Sequence, residues 1–327
     1  MTLLQAIDLG VKINTMDGSL EIIDQVSFSV DRGDKLGIVG ESGCGKSITA
    51  LALMSLLPPN SQISGQILLD GENILGLTRK QLCEIRGNRI GIIFQEPMTA
   101  LNPVKTIGSQ ISESLVLHAN LNKKQIIERV VELMECVELP VKRFPLNLYP
   151  HQLSGGQRQR VMIATAIACK PDLLIADEPT TALDVTVQEQ ILDLIKDLVN
   201  QYDMALMMIS HDLGVIAQTT EKVMVMYAGQ VMEQGNTEDV FKQMAHPYTH
   251  GLFSAIPKTG SSLITGRKRL QSIPGQVPDP RNKIFGCKFA DRCSFSSDEC
   301  RKSRPEQTMI NQKHSVWCYH PIKTGKD

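Results

Sequence analysis

What the 327-residue chain lacks narrows it before any motif is read. Its first residues, "MTLLQAIDLGVK", show no basic start followed by an apolar core and a small-residue cleavage site, so no secretion signal is expected. The longest apolar run, "ITALALMSLL", is about half of what a membrane span needs. Aromatic residues amount to 4%, too few for the stacking platform of a single-stranded nucleic-acid binder. Neither sign of charge is in excess: 34 Lys and Arg against 35 Asp and Glu leave a net charge of -1, which argues against a broad nucleic-acid or anionic-lipid surface. No nucleic acid is therefore expected as a partner. Low-complexity tracts and internal repeats are missing too, and with them a solenoid.

What is present is a chain long enough, at 42% apolar, for a large core and an appendage. Residues 3–30 alternate around "NTMDGSL", where Asp17-Gly18 is a hairpin turn signal, so two antiparallel strands are expected. "KLGIVG" reads as a short buried strand, then a glycine-rich turn, then a helix over 46–57. "RIGIIF", "DLLIAD", "MALMMIS", "EKVMVMYAG" and "QVMEQG" read as further strands. Two amphipathic helices are expected over 106–138, parted by Asn120 and Asn122, with two more in "GQRQRVMIATAIA" and "VTVQEQILDLIKDLVNQ". The second of these sets Val187, Ile191, Leu194 and Leu198 on one face. Strands alternating with helices predict an α/β fold: a mostly parallel sheet, an antiparallel β subdomain and a helical insertion at about 100–165. The expected division is 1–255 for this domain and 256–327 for a small C-terminal extension.

"GESGCGKS", residues 40–47, fits the phosphate-loop pattern G-x-x-x-x-G-K-[ST] between a strand and a helix. There the backbone N–H groups of Gly40, Glu41, Ser42, Gly43, Cys44 and Gly45 can cradle phosphates, Lys46 can reach the β- and γ-phosphates, and Ser47 can ligate Mg²⁺. In "LLIADE", Asp177 ends an apolar strand and can hold the Mg²⁺ shell, while Glu178 can orient or deprotonate an attacking water. Cys44 leaves two readings open: a small inert residue, or a thiol whose pKa the aligned N–H dipoles and Lys46 depress.

"LSGGQRQR" at 153–160, "IIFQEPMTALNP" around Gln95, "TTALD" ending at Asp184 and "SHDL" containing His211 resemble, in this order, the motifs of the ATP-binding-cassette family. That resemblance covers residues 3 to about 255. It implies a phosphate-loop ATPase that works as a head-to-tail dimer, each ATP held between one phosphate loop and the partner's signature Ser154, Gly155, Gly156 and Gln157. It further implies that Gln95 senses Mg²⁺ and the γ-phosphate, that Glu178 is the general base, that His211 braces the γ-phosphate and that Asp184 belongs to the nucleotide interface. The family's adenine-stacking aromatic falls at Ile13, which leaves base stacking without its usual ring.

The tail narrows the resemblance. "AHPYTHGLFSAIP" and "SIPGQVPDP", followed by a cysteine-rich stretch, are similar to the C-terminal extension of ATPases from dipeptide and oligopeptide importers, the D-type subunit above all. This implies a second cassette ATPase, two transmembrane permease subunits, an extracytoplasmic peptide-binding protein acting indirectly, and a peripheral place on the cytoplasmic face of the inner membrane. Nickel and antimicrobial-peptide importers share much of the pattern, and a soluble cassette ATPase is the alternative of a different class. Cys287, Cys293, Cys300 and Cys318 are separated by five, six and seventeen residues, which matches neither common zinc knuckles nor familiar ferredoxin runs. Spacing alone leaves a [4Fe–4S] cluster, zinc and free thiols open; the resemblance implies the cluster. His314 and His320 are secondary ligand candidates expected at the surface, and Cys83, Cys136 and Cys169 are expected to pack as small apolar residues.

Overall fold

A computed structural model describes residues 1–16, 18–181, 183–255 and 273–322. Asp17 of the expected turn, Ala182 of "TTALD" and the first part of the 256–327 segment lie outside them. The two long alternating stretches form β1 (Thr2–Thr15) and β2 (Gly18–Asp31), which pair antiparallel as expected. The sequence reading missed two further strands, β4 (Ser61–Leu69) and β5 (Glu72–Asn73), which complete a four-stranded sheet in the order β2-β1-β4-β5.

The second sheet has eight strands. Its parallel centre is β9 (Lys222–Tyr227), β3 (Lys35–Val39), β8 (Ala205–Ser210), β7 (Leu173–Asp177) and β6 (Ile90–Ile93), in that order. Every residue of β7 and β8 is buried, which is why these runs are continuously apolar rather than alternating: both faces of a parallel sheet are covered. One core lies between the two sheets, and the other lies between the parallel sheet and the helices on its far face. Arg32 and Arg89 tie the sheets together at the surface. Both bind Asp70 and Asp172, one carboxylate from each side of the seam.

Helices form where periodicity predicts them, with the ends set by caps. Ile107–His118 starts after Thr106, whose hydroxyl accepts from Ser109 N–H, and Lys123–Cys136 starts after Asn122, whose side chain accepts from the N–H groups of Lys124 and Gln125. The helix after the phosphate loop stops at Leu53, four residues short of expectation. Ser55 takes a left-handed φ of 50° there, and Leu56 N–H donates back to Leu51 O, a C-capping arrangement ahead of Pro58 and Pro59. Val185–Gln201 buries Ile191, Leu194 and Leu198, while Val187 is only partly covered.

At the antiparallel edge of the large sheet the strand in "QVMEQG" forms as expected, whereas the tail's hairpin was not legible beforehand. β10 (Gln230–Asn236) pairs with β9, and the tail's hairpin, β11 (Gln307–Asn311) and β12 (His314–Trp317), joins β10 through Glu233 opposite Val316 and Gly235 opposite His314. The tail is thus continuous with the cassette's sheet.

Candidate active site

The phosphate loop runs from the end of β3 into the helix Lys46–Leu53. Gly45 caps that helix at φ 101°, where an added Cβ would fall 2.5 Å from Ile23 Cδ1, so both backbone and space require glycine. Lys46 is buried and folds back on the loop, its Nζ donating to Gly40 O (2.8 Å) and Glu41 O (3.1 Å). A phosphate arriving in the loop gives that ammonium a charged acceptor instead. Ser42 and Gly43 face solvent. Of the two readings open for Cys44 the inert one is favoured: its side chain is fully buried, and burial pushes the thiol up despite the pull of Lys46. It contributes packing.

Strand β7 delivers the acidic pair. Asp177 is buried at the strand end and accepts from Ser47 Oγ at 3.0 Å, so the two hard oxygen donors expected for Mg²⁺ already touch. Burial raises the Asp177 pKa, against the bond from Ser47. Glu178, the next residue, has a left-handed φ of 46°, a conformation that costs a carboxylate residue on the order of 1–3 kcal/mol and is held by the surrounding structure. Its Oε2 accepts from Gln95 Nε2 (3.4 Å) and Thr181 Oγ1 (3.0 Å), and it lies 3.1 Å from His211 Nδ1. Three segments far apart in sequence therefore converge on one carboxylate oxygen. Thr181 was not singled out beforehand, although it lies within the quoted "TTALD".

The signature residues sit elsewhere on the chain. Ser154 caps the helix Gly155–Ala166 in a reciprocal box with Gln157: each backbone N–H donates to the other's side chain. Gly156 is demanded by packing, since a Cβ there would approach Val187 Cγ1 to 2.9 Å, whereas a Cβ on Gly155 would meet only Leu183 at 3.8 Å among the described residues. Asp184 caps the helix Val185–Gln201 by accepting from Val187 N–H. Ile13 is half-buried against the core between the sheets and pairs with Leu20 and Ser61.

The tail reaches the phosphate loop, which no motif announced. Arg292 donates to both carboxylate oxygens of Glu41 (2.7 and 3.1 Å) and to Tyr227 Oη, and Tyr248 Oη accepts from Glu41 N–H at 2.8 Å. Phe289 packs on Tyr227, Tyr248 and His246. His314 corrects another expectation: it is fully buried, with Nε2 2.6 Å from Glu233, not at the surface. His320 is exposed and meets Ser297 Oγ. Cys136 and Cys169 pack partly against the core as expected, while Cys83 is exposed.

Cys287, Cys293, Cys300 and Cys318 are free thiols that line one small pocket together with Phe289, Phe295 and other tail residues. Among the described residues, no three His, Cys, Asp or Glu side chains are grouped as they would be around a metal ion, so the expected cluster geometry is not formed. Burial pushes the Cys287 thiol up to about 11, Cys318 up to about 12, and Cys293 in the same direction.

Comparison with known proteins agrees with this geometry. Residues 23–181 match the family model described as "ABC transporter", and residues 232–300 match "Oligopeptide/dipeptide transporter, C-terminal region". A probable peptide ABC transporter ATP-binding protein of Sinorhizobium fredii is 47% identical, over 90% of this chain and 88% of its own length. The oligopeptide transport ATP-binding protein OppD of Escherichia coli is 44% identical, over 98% and 94%. Among solved structures, the ATP-binding cassette MJ0796, dimeric and bound to ADP and Pi in a post-hydrolysis state, superposes with a TM-score of 0.65 at 26% identity, covering 72% of this chain and 99% of that one. Among the described residues, no helix is long and apolar enough to cross a membrane. The chain belongs to the ATP-binding proteins of ABC transporters, in the branch that carries the oligopeptide/dipeptide transporter C-terminal region.

Proposed function

We propose that this ABC ATPase is the motor subunit of a membrane importer for dipeptides or oligopeptides. The observation that carries the reading is the convergence of Gln95, Thr181 and His211 on the strained carboxylate of Glu178, one residue beyond an Asp177 already bonded to Ser47. Lys46 and the loop's N–H groups would bind the phosphates, and Ser47 and Asp177 would hold Mg²⁺, which supplies charge neutralisation of the phosphates. Asp177, whose pKa burial raises, would be held charged by a cation bound there. Glu178 takes the proton of the attacking water, with His211 and Gln95 holding the carboxylate and the γ-phosphate in register. The peptide substrate is supported by the names of the relatives and by the match over 232–300.

A second cassette ATPase is proposed to close the site. Glycine at the first turn of a helix costs about 1 kcal/mol relative to alanine, and the described packing around Gly155 does not require it. A partner's γ-phosphate approaching the Ser154–Gly156 backbone does. Met98, Val104, Val116 and Leu117 lie exposed in and around the helical insertion and are suited to receive two transmembrane permease subunits at the cytoplasmic face of the inner membrane. An extracytoplasmic binding protein would then supply the peptide.

The four tail cysteines are proposed to hold a [4Fe–4S] cluster. The donor set fits: four soft sulfur ligands from separate tail segments share one pocket with aromatic side chains, and thiolate-rich sites select iron–sulfur clusters or zinc over hard cations. Bound metal would supply cross-links, since its ligands must give up the protons that burial now retains.

The test is Glu178→Gln in the complex with the partner ATPase, alone and with the matching partner substitution. ATP turnover is expected to fall at least 100-fold in the double variant, with nucleotide binding retained and a closed dimer accumulating. Turnover within a few-fold of the unsubstituted complex would remove Glu178 from its role.

A further inference from the structure

A cavity of about 970 Å³ beside the phosphate loop lies between the β1–β2 hairpin and the tail. Lys12, Glu21 and Ile22 line it from the hairpin, Ser42 and Gly43 from the phosphate loop, and residues 276–285 with Lys288 from the tail. Its size falls in the range of small-molecule sites, and it opens beside Ser42 and Gly43, within reach of the base of a nucleotide whose phosphates lie in the loop. Ile13, where an adenine-stacking ring is expected, is not among the residues lining it. Phe285 is. Its side chain is 81% exposed, the most exposed of the eight phenylalanines.

The segment that carries this ring is pinned at both ends to the cassette. On one side Arg292 Nε donates to Pro274 O (2.8 Å) while its other nitrogens grip Glu41. On the other, Lys288 donates to Ala228 O (3.0 Å) and pairs with Asp24. Between them Asp279 and Arg281 close a turn that directs residues 282–285 along the cavity. An apolar ring left in water on a fixed scaffold at the mouth of a nucleotide loop is placed to take a flat partner.

We propose that Phe285, from the C-terminal extension, supplies the aromatic face on which the base of the bound nucleotide stacks, replacing the ring missing at Ile13. The inference rests on the phosphate loop binding ATP. Every base presents a π-face, so the contact raises affinity without selecting adenine over guanine.

Equilibrium binding of the non-hydrolysable analogue AMPPNP to the full chain, with inorganic tripolyphosphate as a base-free probe of the loop, tests it. Phe285→Ala is expected to weaken AMPPNP by roughly ten-fold and GMPPNP similarly, the scale of one lost base–aromatic stack, while leaving tripolyphosphate unchanged. Phe285→Trp should bind AMPPNP as the native chain does and show quenched indole emission on binding; Ile13→Ala should change affinity less than two-fold. AMPPNP binding by Phe285→Ala within two-fold of native overturns the proposal, as does an equal loss for tripolyphosphate, which would mean the loop itself had been disturbed. Failure of the native chain to bind either probe would instead sink the phosphate-loop reading on which this one rests.

Discussion

Glu233→Ala is expected to release the C-terminal extension from the edge of the large sheet. The Glu233 carboxylate accepts from Ala245 N–H (2.7 Å), His246 N–H (2.8 Å) and His314 Nε2 (2.6 Å), and both Glu233 and His314 are 0% exposed. Alanine leaves three buried donors unpaired, each costing about 1–3 kcal/mol, and recovers the expense of keeping a carboxylate dry. Removing one member of such a buried pair costs about 3–5 kcal/mol net, a large share of the roughly 5–15 kcal/mol that stabilises a folded domain. Because one of the three donors is in β12 and the other two precede the helix Pro247–Ser254, the loss concentrates at the junction between cassette and tail. Urea unfolding followed by limited proteolysis with mass mapping reads both effects: a lowered midpoint, and cleavage within 307–317 before the cassette opens. Glu233→Gln keeps a carbonyl oxygen that can accept two of the three bonds and should lose less than half as much. A shift below about 1 kcal/mol in Glu233→Ala, with the hairpin still protected, would refute the view that this carboxylate fastens the tail.

Two shorter predictions concern cysteine. A thiol reagent added to native protein should label Cys83, which is exposed, well before Cys44, which is buried with its thiol pushed up; peptide mapping that finds Cys44 labelled first and shielded by Mg-ATP would restore an activated loop thiol. Anaerobically purified protein should contain about four iron and four acid-labile sulfide per chain and lose both in Cys293→Ser, whereas stoichiometric zinc in colourless protein would replace the cluster with a zinc site.

The phosphate loop and the acidic strand end were legible because each is local: a few adjacent residues dictate a turn or a buried run. The meeting of Gln95, Glu178 and His211 was legible only through family resemblance, since nothing in their separate stretches states that three strand ends come together. Cys44 could not be decided from the sequence for a physical reason. The sequence shows the N–H dipoles and Lys46 that lower a thiol pKa but not the complete burial that raises it. His314 and Glu233 escaped for the same reason, being polar residues in short stretches whose burial depends on a strand pairing across 81 positions.

The tail shows most clearly what linear reading misses. Lying well past the last hydrolytic motif, it reads as independent of nucleotide binding, yet Arg292 clamps Glu41 across 251 positions and Phe285 lines the cavity beside Ser42 and Gly43. Both belong to the run that contains Cys287 and Cys293, and Arg292 immediately precedes the second of these. A metal group held by those thiols would therefore fix the spacing between the clamp and the ring, because its short bonds tolerate less displacement than packing between exposed loops does. Loss of the group then acts on nucleotide affinity through geometry, with no electron transfer required. The same Cys293→Ser variant that loses iron should accordingly bind AMPPNP more weakly while the parallel core of the cassette stays folded.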